Sequence, residues 1–132
     1  MSTMRVEIIA PDSVDRFDNV EFASFFAETG SIGILPNHTD ILGTLRTCVV
    51  LLHREGTDHK FAVSGGFFEV RHGILTLLTD SSERSDTIDV ERALVAKKRA
   101  EELLLREKGI DSIRVQAALM RALNRLKAAG RE

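Results

Sequence analysis

Two different spacings of apolar residues divide this chain. Up to about residue 85, apolar positions recur every second residue in short runs closed by turn formers. Residues 4–9 alternate roughly apolar and polar until Pro11-Asp12-Ser13 stops them. Residues 20–26 carry the two-residue period through Val20, Phe22, Ser24 and Phe26, with Ala23 and Phe25 also apolar, which predicts a strand buried on both sides. A brief apolar core in Gly30-Ser31-Ile32-Gly33-Ile34-Leu35-Pro36-Asn37-His38 is flanked by turn residues. Residues 46–52 form a β-branched run, and Arg54-Glu55-Gly56-Thr57-Asp58 reads as a hairpin loop. Residues 61–64, 67–70 and 74–79 complete the set, separated by Gly65-Gly66 and Arg71-His72-Gly73. Eight or more short strands at this spacing predict an antiparallel sandwich or barrel, and no segment here has the length of a crossover helix.

After residue 86 the period becomes helical. Val90, Ala93, Leu94, Ala100, Leu103 and Leu104 fall on one broad stripe, with Lys97, Lys98, Glu101, Glu102 and Glu107 largely opposite. Gly109 stops this helix, and Asp111-Ser112 offers caps for a second, whose stripe is Ile113, Ala117, Met120, Leu123 and Leu126. The fold class is therefore α+β: a β domain over residues 1–85 and an antiparallel helical hairpin over residues 86–132. Small alanines on both helices allow close approach. A hairpin of this kind buries little area alone, so it is expected to dock on the β domain or on a partner and to exchange between the two.

Composition follows the same division. Residues 1–85 hold 7 Lys or Arg and 12 Asp or Glu, a net −5; residues 86–132 hold 11 and 8, a net +3, giving −2 overall. All seven Phe precede residue 74, and Trp and Tyr are absent. A reader of nucleic acid that stacks bases on aromatic rings is poorly supported, and the chain has no basic excess to grip a phosphate backbone. The single cysteine, Cys48, cannot form an internal disulfide and suggests a reducing compartment. No stretch approaches the roughly 20 apolar residues needed to cross a bilayer, and the first residues lack a signal-peptide pattern, so no direct membrane insertion is expected.

Catalytic signatures are missing. Ser64 lacks the preceding glycine of a nucleophile elbow and is not followed by a helix. His38, His53, His59 and His72 lie without paired His or Cys spacing for a metal, and neither GxxxxGK[ST] nor GxGxxG occurs. The more specific feature lies at the junction. Asp89, Arg92 and Arg99 share one helical face, and Arg121 and Arg125 line a face of the second helix. Converging guanidiniums suit phosphate oxygens, while Glu83 and Asp89 could accept from a base amine or a ribose hydroxyl. Spacing alone equally describes ordinary ion pairs worth about 0.2–1 kcal/mol each.

Three ordered segments carry a family resemblance: Gly30 to His38 with residues 39–42 after it, Ser64-Gly65-Gly66-Phe67-Phe68-Glu69-Val70, and Ile88-Asp89-Val90-Glu91-Arg92-Ala93. On these the chain resembles the epsilon subunits of bacterial F-type ATP synthases, over essentially its whole length. The resemblance implies a β-sandwich of about ten strands followed by the hairpin, and a non-catalytic place in the rotating central stalk. The β domain would bind the gamma subunit and the c-ring on the cytoplasmic face of the bacterial membrane, with Ser31 and His38 at that contact; Ser31 stands where many relatives have Glu. No cofactor or metal is implied, but regulatory ATP is. Its site would comprise Glu83, Ile88, Asp89, Arg92, Ala93, Arg121 and Arg125, with Arg99 added on geometry. An extended hairpin would reach the alpha and beta subunits through Arg114, Arg121, Arg125 and Lys127 and block ATP hydrolysis. Without the family, the same pattern fits a stand-alone β-sandwich adaptor with a partner-binding helix pair.

Overall fold

The computed structural model describes residues 2–106 and 109–131. Glu107, assigned above to a polar helical face, lies outside them. Strands β1 (Met4–Ala10), β2 (Ser13–Ala27), β3 (Gly30–Ile34), β4 (Ile41–Arg54), β5 (Thr57–Arg71), β6 (Ile74–Thr79) and β7 (Ser82–Arg84) precede a short 3-10 turn at Ser85–Thr87 and helices α1 (Val90–Leu104) and α2 (Ile110–Ala128).

The strands number seven among the described residues rather than about ten, because three of them are long and bend. Gly65-Gly66, read above as a break, lies inside β5. Both glycines have positive φ, and a Cβ on Gly66 would meet the Leu78 carbonyl oxygen at 1.8 Å, so the strand turns there without ending. One half of β5 thereby pairs with β7 and the other with β6. The order β1-β6-β5-β4-β2-β3, with β1 also paired to β2, closes the sheet on itself. The β1–β6 pair is parallel, the exception to the antiparallel expectation. At the β4–β5 turn, Glu55 and Gly56 both have positive φ, which joins the strands in two residues.

The barrel is filled by Val6, Ile8, Val20, Phe25, Ile34, Leu45, Leu52, Phe61, Leu75 and Leu77, all essentially without exposure. Phe25 and Phe68 meet edge to face at 4.9 Å. In β2 the inward set is Val20, then Ala23, Phe25 and Ala27, not Phe22, Ser24 and Phe26. A register shift between Val20 and Phe22 against β4 changes the phase, and Phe26 ends up outside.

Helix α2 rests on β4 and β5, and α1 packs on α2. A second, small core joins Ala62, Ile88 and Ala128, with Val49 and Ala129 at its edge. The α2 stripe read from the sequence is only partly the buried one. Leu126 is buried, but Ile113, Met120 and Leu123 are exposed, and Ala122, Ala128 and Leu126 make the contact instead. In α1 the buried positions are Ala93 and Ala100, whereas Leu94 is half exposed. Close helix packing selected small residues, leaving the larger apolar ones outside. The second helix also starts earlier than its cap residues predict: Gly109 occupies the N-cap with φ 69°, no side chain caps the helix, and Asp111 falls within its first turn.

Candidate functional site

The junction residues are assembled by β7, the start of α1 and the C-terminal half of α2. Pairing of Glu83 with Ala62 places its carboxylate under α2, where Arg125 Nε donates to Oε1 at 2.6 Å. Both side chains are about one-third exposed. Beside them the Ser64 and Ser81 hydroxyls share a hydrogen bond of 2.6 Å. Arg121 and Asn124 complete this crevice, whose free volume of about 10 Å³ has room for one water.

Asp89 is the N-cap of α1. Its Oδ1 accepts from Arg92 N at 3.0 Å and its carbonyl accepts from Ala93 N at 3.0 Å, which spends that oxygen on the helix terminus. Ile88 and Ala93 are buried; the first belongs to the small second core, so these two position the backbone and offer little side-chain surface. Arg92 and Arg99, seven residues apart, lie within about 20° on α1. Arg114, Arg121 and Arg125 likewise lie within about 40° on α2. Between the helices, Arg92, Arg99 and Arg114 line a groove of about 480 Å³ walled by Val95, Ala96 and Leu103, and among the described residues no carboxylate lines it. Among the described residues no salt bridge engages Arg92, Arg99, Arg114 or Arg121.

The structure thus divides the expected site in two. Glu83, Arg121 and Arg125 share the crevice against the barrel, while Arg92 and Arg99 share the inter-helical groove with Arg114, which was expected only in the extended hairpin's contact with the alpha and beta subunits. Arg114 sits seven residues before Arg121, the spacing that brings Arg92 and Arg99 together, so the same rule finds it once applied to α2. Asn124 was not singled out at all. Its Nδ2 donates to the carbonyls of Cys48 at 2.8 Å and Val63 at 3.2 Å, two residues directly paired across β4 and β5. A lone amide on the inward side of an alanine-rich helix is the signal that could have found it.

The other expected contact residues lie apart from this site. Ser31 is exposed on β3, paired with Phe26. His38 follows in the β3–β4 connection, where its Nδ1 donates to the Thr39 carbonyl at 2.6 Å. Around this end Leu35, Ile41, Leu42, Phe67 and Leu78 are all exposed, and Phe67 pairs directly with Leu78. Lys127 is exposed, with Nζ 5.9 Å from the Phe26 ring centre. Among the described residues no helix is long and apolar enough to cross a membrane.

Comparison with known proteins matches residues 3–85 to the beta-sandwich domain of the ATP synthase delta/epsilon chain and residues 86–130 to its long alpha-helix domain. The ATP synthase epsilon chain of Bacillus licheniformis is 43% identical over 130 residues, covering 98% of this chain and 99% of the relative. That of Bacillus velezensis is 44% identical over 131 residues, with 98% and 99% covered, and that of Desulforamulus reducens 41% over 129, with 96% and 97%. Among solved structures, a chain of the Euglena gracilis mitochondrial ATP synthase shares the fold with a TM-score of 0.84 at 20% identity, over 98% of this chain and 82% of that one. A chain of the Tetrahymena thermophila mitochondrial ATP synthase gives 0.61 at 14% identity, over 98% and 99%.

Proposed function

The chain belongs to the ATP synthase delta/epsilon family over nearly its whole length, and on that premise we propose that it is a non-catalytic central-stalk subunit whose docked hairpin binds ATP and whose extended hairpin restrains ATP hydrolysis. The observation that carries the nucleotide part is the row of arginines along one side of the hairpin, with Glu83 the only carboxylate in a salt bridge to one of their guanidiniums among the described residues. Five planar donors offer more positive charge than their surroundings balance, and a triphosphate supplies the missing anions. The groove beside Arg92, Arg99 and Arg114 is large enough to admit a ligand of that class.

The groove and the crevice exist together only when α1, α2 and β7 are packed together. ATP would therefore favour the docked state by its differential affinity, and by no more than that. The docking itself is shallow: among the described residues of α2, Leu126 is the one large apolar side chain fully buried, the rest of the contact being alanine-sized. Such a contact is worth only a few kcal/mol, within reach of a ligand or a competing partner. The exposed stripe of Ile113, Met120 and Leu123, together with Arg114, Arg121, Arg125 and Lys127, would face the alpha and beta subunits once released.

The exposed apolar end of the barrel, with Ser31 and His38 beside it, is the surface we assign to gamma and the c-ring. The two solved chains named above belong to ATP synthase structures described together with their c-rings, in keeping with a place beside the c-ring, and the proposal sets that place on the cytoplasmic face of the membrane.

Calorimetric titration tests the nucleotide reading: ATP should bind the isolated chain, and Arg92→Ala should weaken it about tenfold or more. Equal affinity in variant and parent would take Arg92 out of the site. In the assembled enzyme, ending the chain at Ser85 should preserve binding to gamma and raise hydrolysis at low ATP. Unchanged hydrolysis would leave the hairpin without an inhibitory role.

A further inference from the structure

On the side of α2 turned away from the arginine row, a second cavity of about 470 Å³ opens between the helix pair and the barrel. Its origin is an irregularity in the sheet. Ser24 pairs with Leu51 and Ala27 with Leu45, so two residues of β2 face five of β4, and residues 46–50 stand away from β2. Cys48 partly closes the gap by accepting from Phe26 N–H at 3.5 Å, and α2 roofs what is left.

The walls are of two kinds. Phe26, Val49, Met120, Leu123 and Leu126 make an apolar lining, of which Phe26, Met120 and Leu123 remain about half exposed although the helix is docked. Arg46, Lys97 and Lys127 bring three cations; among the described residues no carboxylate lines the cavity and none of the three cations makes a salt bridge. Lysines place compact charges at the end of apolar stems, which suits a small anionic head above an apolar tail. The volume is that of a small-molecule site and too confined for a folded partner. The one thiol in the wall, Cys48, is pushed up by burial and is no nucleophile there.

We propose that this cavity binds a single-chain anionic amphiphile of the fatty-acid class, its carboxylate held by Lys97 and Lys127 and its chain lying along Phe26, Met120 and Leu123. The lining comes from α1, α2, β2 and β4 at once, so the occupied cavity exists only with the hairpin down. The amphiphile therefore stabilises the docked state from the face opposite the arginines. This inference rests on the docked hairpin and does not require that ATP bind.

Titration of the full-length chain with dodecanoate, below its micelle concentration, tests it, with dodecanol as the uncharged tail and butyrate as the head without one. Saturable binding of one dodecanoate is expected, at least tenfold tighter than either control, and reduced at least tenfold by the double substitution Lys97→Gln, Lys127→Gln. Both positions are surface lysines, and an unchanged melting temperature verifies that the variant folds. ATP affinity should be the same in variant and parent, which separates this site from the arginine groove. Alkylation of Cys48 should slow on adding dodecanoate to the parent. Equal binding of dodecanol, undiminished binding by the double variant, or displacement of dodecanoate by ATP in competition would overturn the proposal.

Discussion

Glu83 and Arg125, 42 residues apart in sequence, meet in a 2.6 Å charge-assisted hydrogen bond that ties the last strand of the barrel to the helix lying over it. One nearby contact involves no charge: Asn124 gives its amide protons to the carbonyls of Cys48 and Val63. The two differ in what their loss leaves behind. Removing the Arg125 side chain exposes Glu83 to water, whereas removing that of Asn124 leaves two carbonyls facing a helix.

Arg125→Ala should weaken docking by about 1 kcal/mol, as for a pair about one-third exposed. Asn124→Ala should cost more, about 1–3 kcal/mol, because unsatisfied groups are left at a covered surface. Amide hydrogen exchange in α2 reads both: exchange should accelerate in the order parent, Arg125→Ala, Asn124→Ala, with β5 and β6 unaffected. Equal exchange in all three would remove these contacts from the docking energy.

Cys48 reports the same equilibrium chemically. Its thiol is only 5% exposed, and burial raises its pKa, so alkylation of the full chain should be slow. In a chain ending at Ser85 the helix that roofs it is gone, and alkylation should accelerate severalfold. An unchanged rate would show that α2 does not protect it.

Gly66→Ala should damage the barrel. The new methyl would collide with the Leu78 carbonyl, and φ 131° is closed to side-chain-bearing residues. A loss of roughly 3 kcal/mol or more is expected, read as a lowered denaturation midpoint. A Gly56→Ala control, with open space around its Cβ but φ 77°, should cost less.

His53 and Asp58 face each other across the β4–β5 hairpin, with Nδ1 2.7 Å from Oδ1. The hydrogen bond to Asp58, with a smaller contribution from its charge, raises the His53 pKa above its ordinary 6.5. Because the folded-state value is the higher one, this contribution is fully present below the unfolded pKa and is lost as pH rises through the folded value. The denaturation midpoint should therefore fall slightly as pH increases through that window, and His53→Gln should flatten the trend. The effect is small, because both groups are half exposed.

Much of the fold was legible because turn residues and apolar periods are local. The Glu55-Gly56 turn and the change from strand to helix near Ser85 needed no tertiary information. Gly65-Gly66 did, because two glycines mark a turn and a bulge alike, and only the nearness of the Leu78 carbonyl decides between them. Residues 20–26 read as buried on both faces because nearly all are apolar, and the register shift between Val20 and Phe22 that leaves Phe26 outside depends on the pairing with β4. The α2 stripe was misread because the largest apolar residues were taken to be the buried ones, whereas the close contact selects Ala122 and Ala128 and leaves Met120 and Leu123 outside. In the candidate site, helical periodicity grouped Arg92 with Arg99 and Arg121 with Arg125. The pairing of Arg125 with Glu83 and the hydrogen bonds of Asn124 span the two domains, and no local pattern encodes them.

The central claim is that ATP holds the hairpin down. Distance measurement between two labels tests it most directly, one on the β4–β5 turn (Thr57→Cys) and one after α1 (Leu105→Cys), with Cys48→Ser to avoid labelling the buried thiol. Both label sites are exposed. Adding ATP should shift the distance distribution toward the single value of the docked structure, and Arg92→Ala should move that shift to about tenfold higher ATP or more. A distribution that stays the same at saturating ATP would contradict the account.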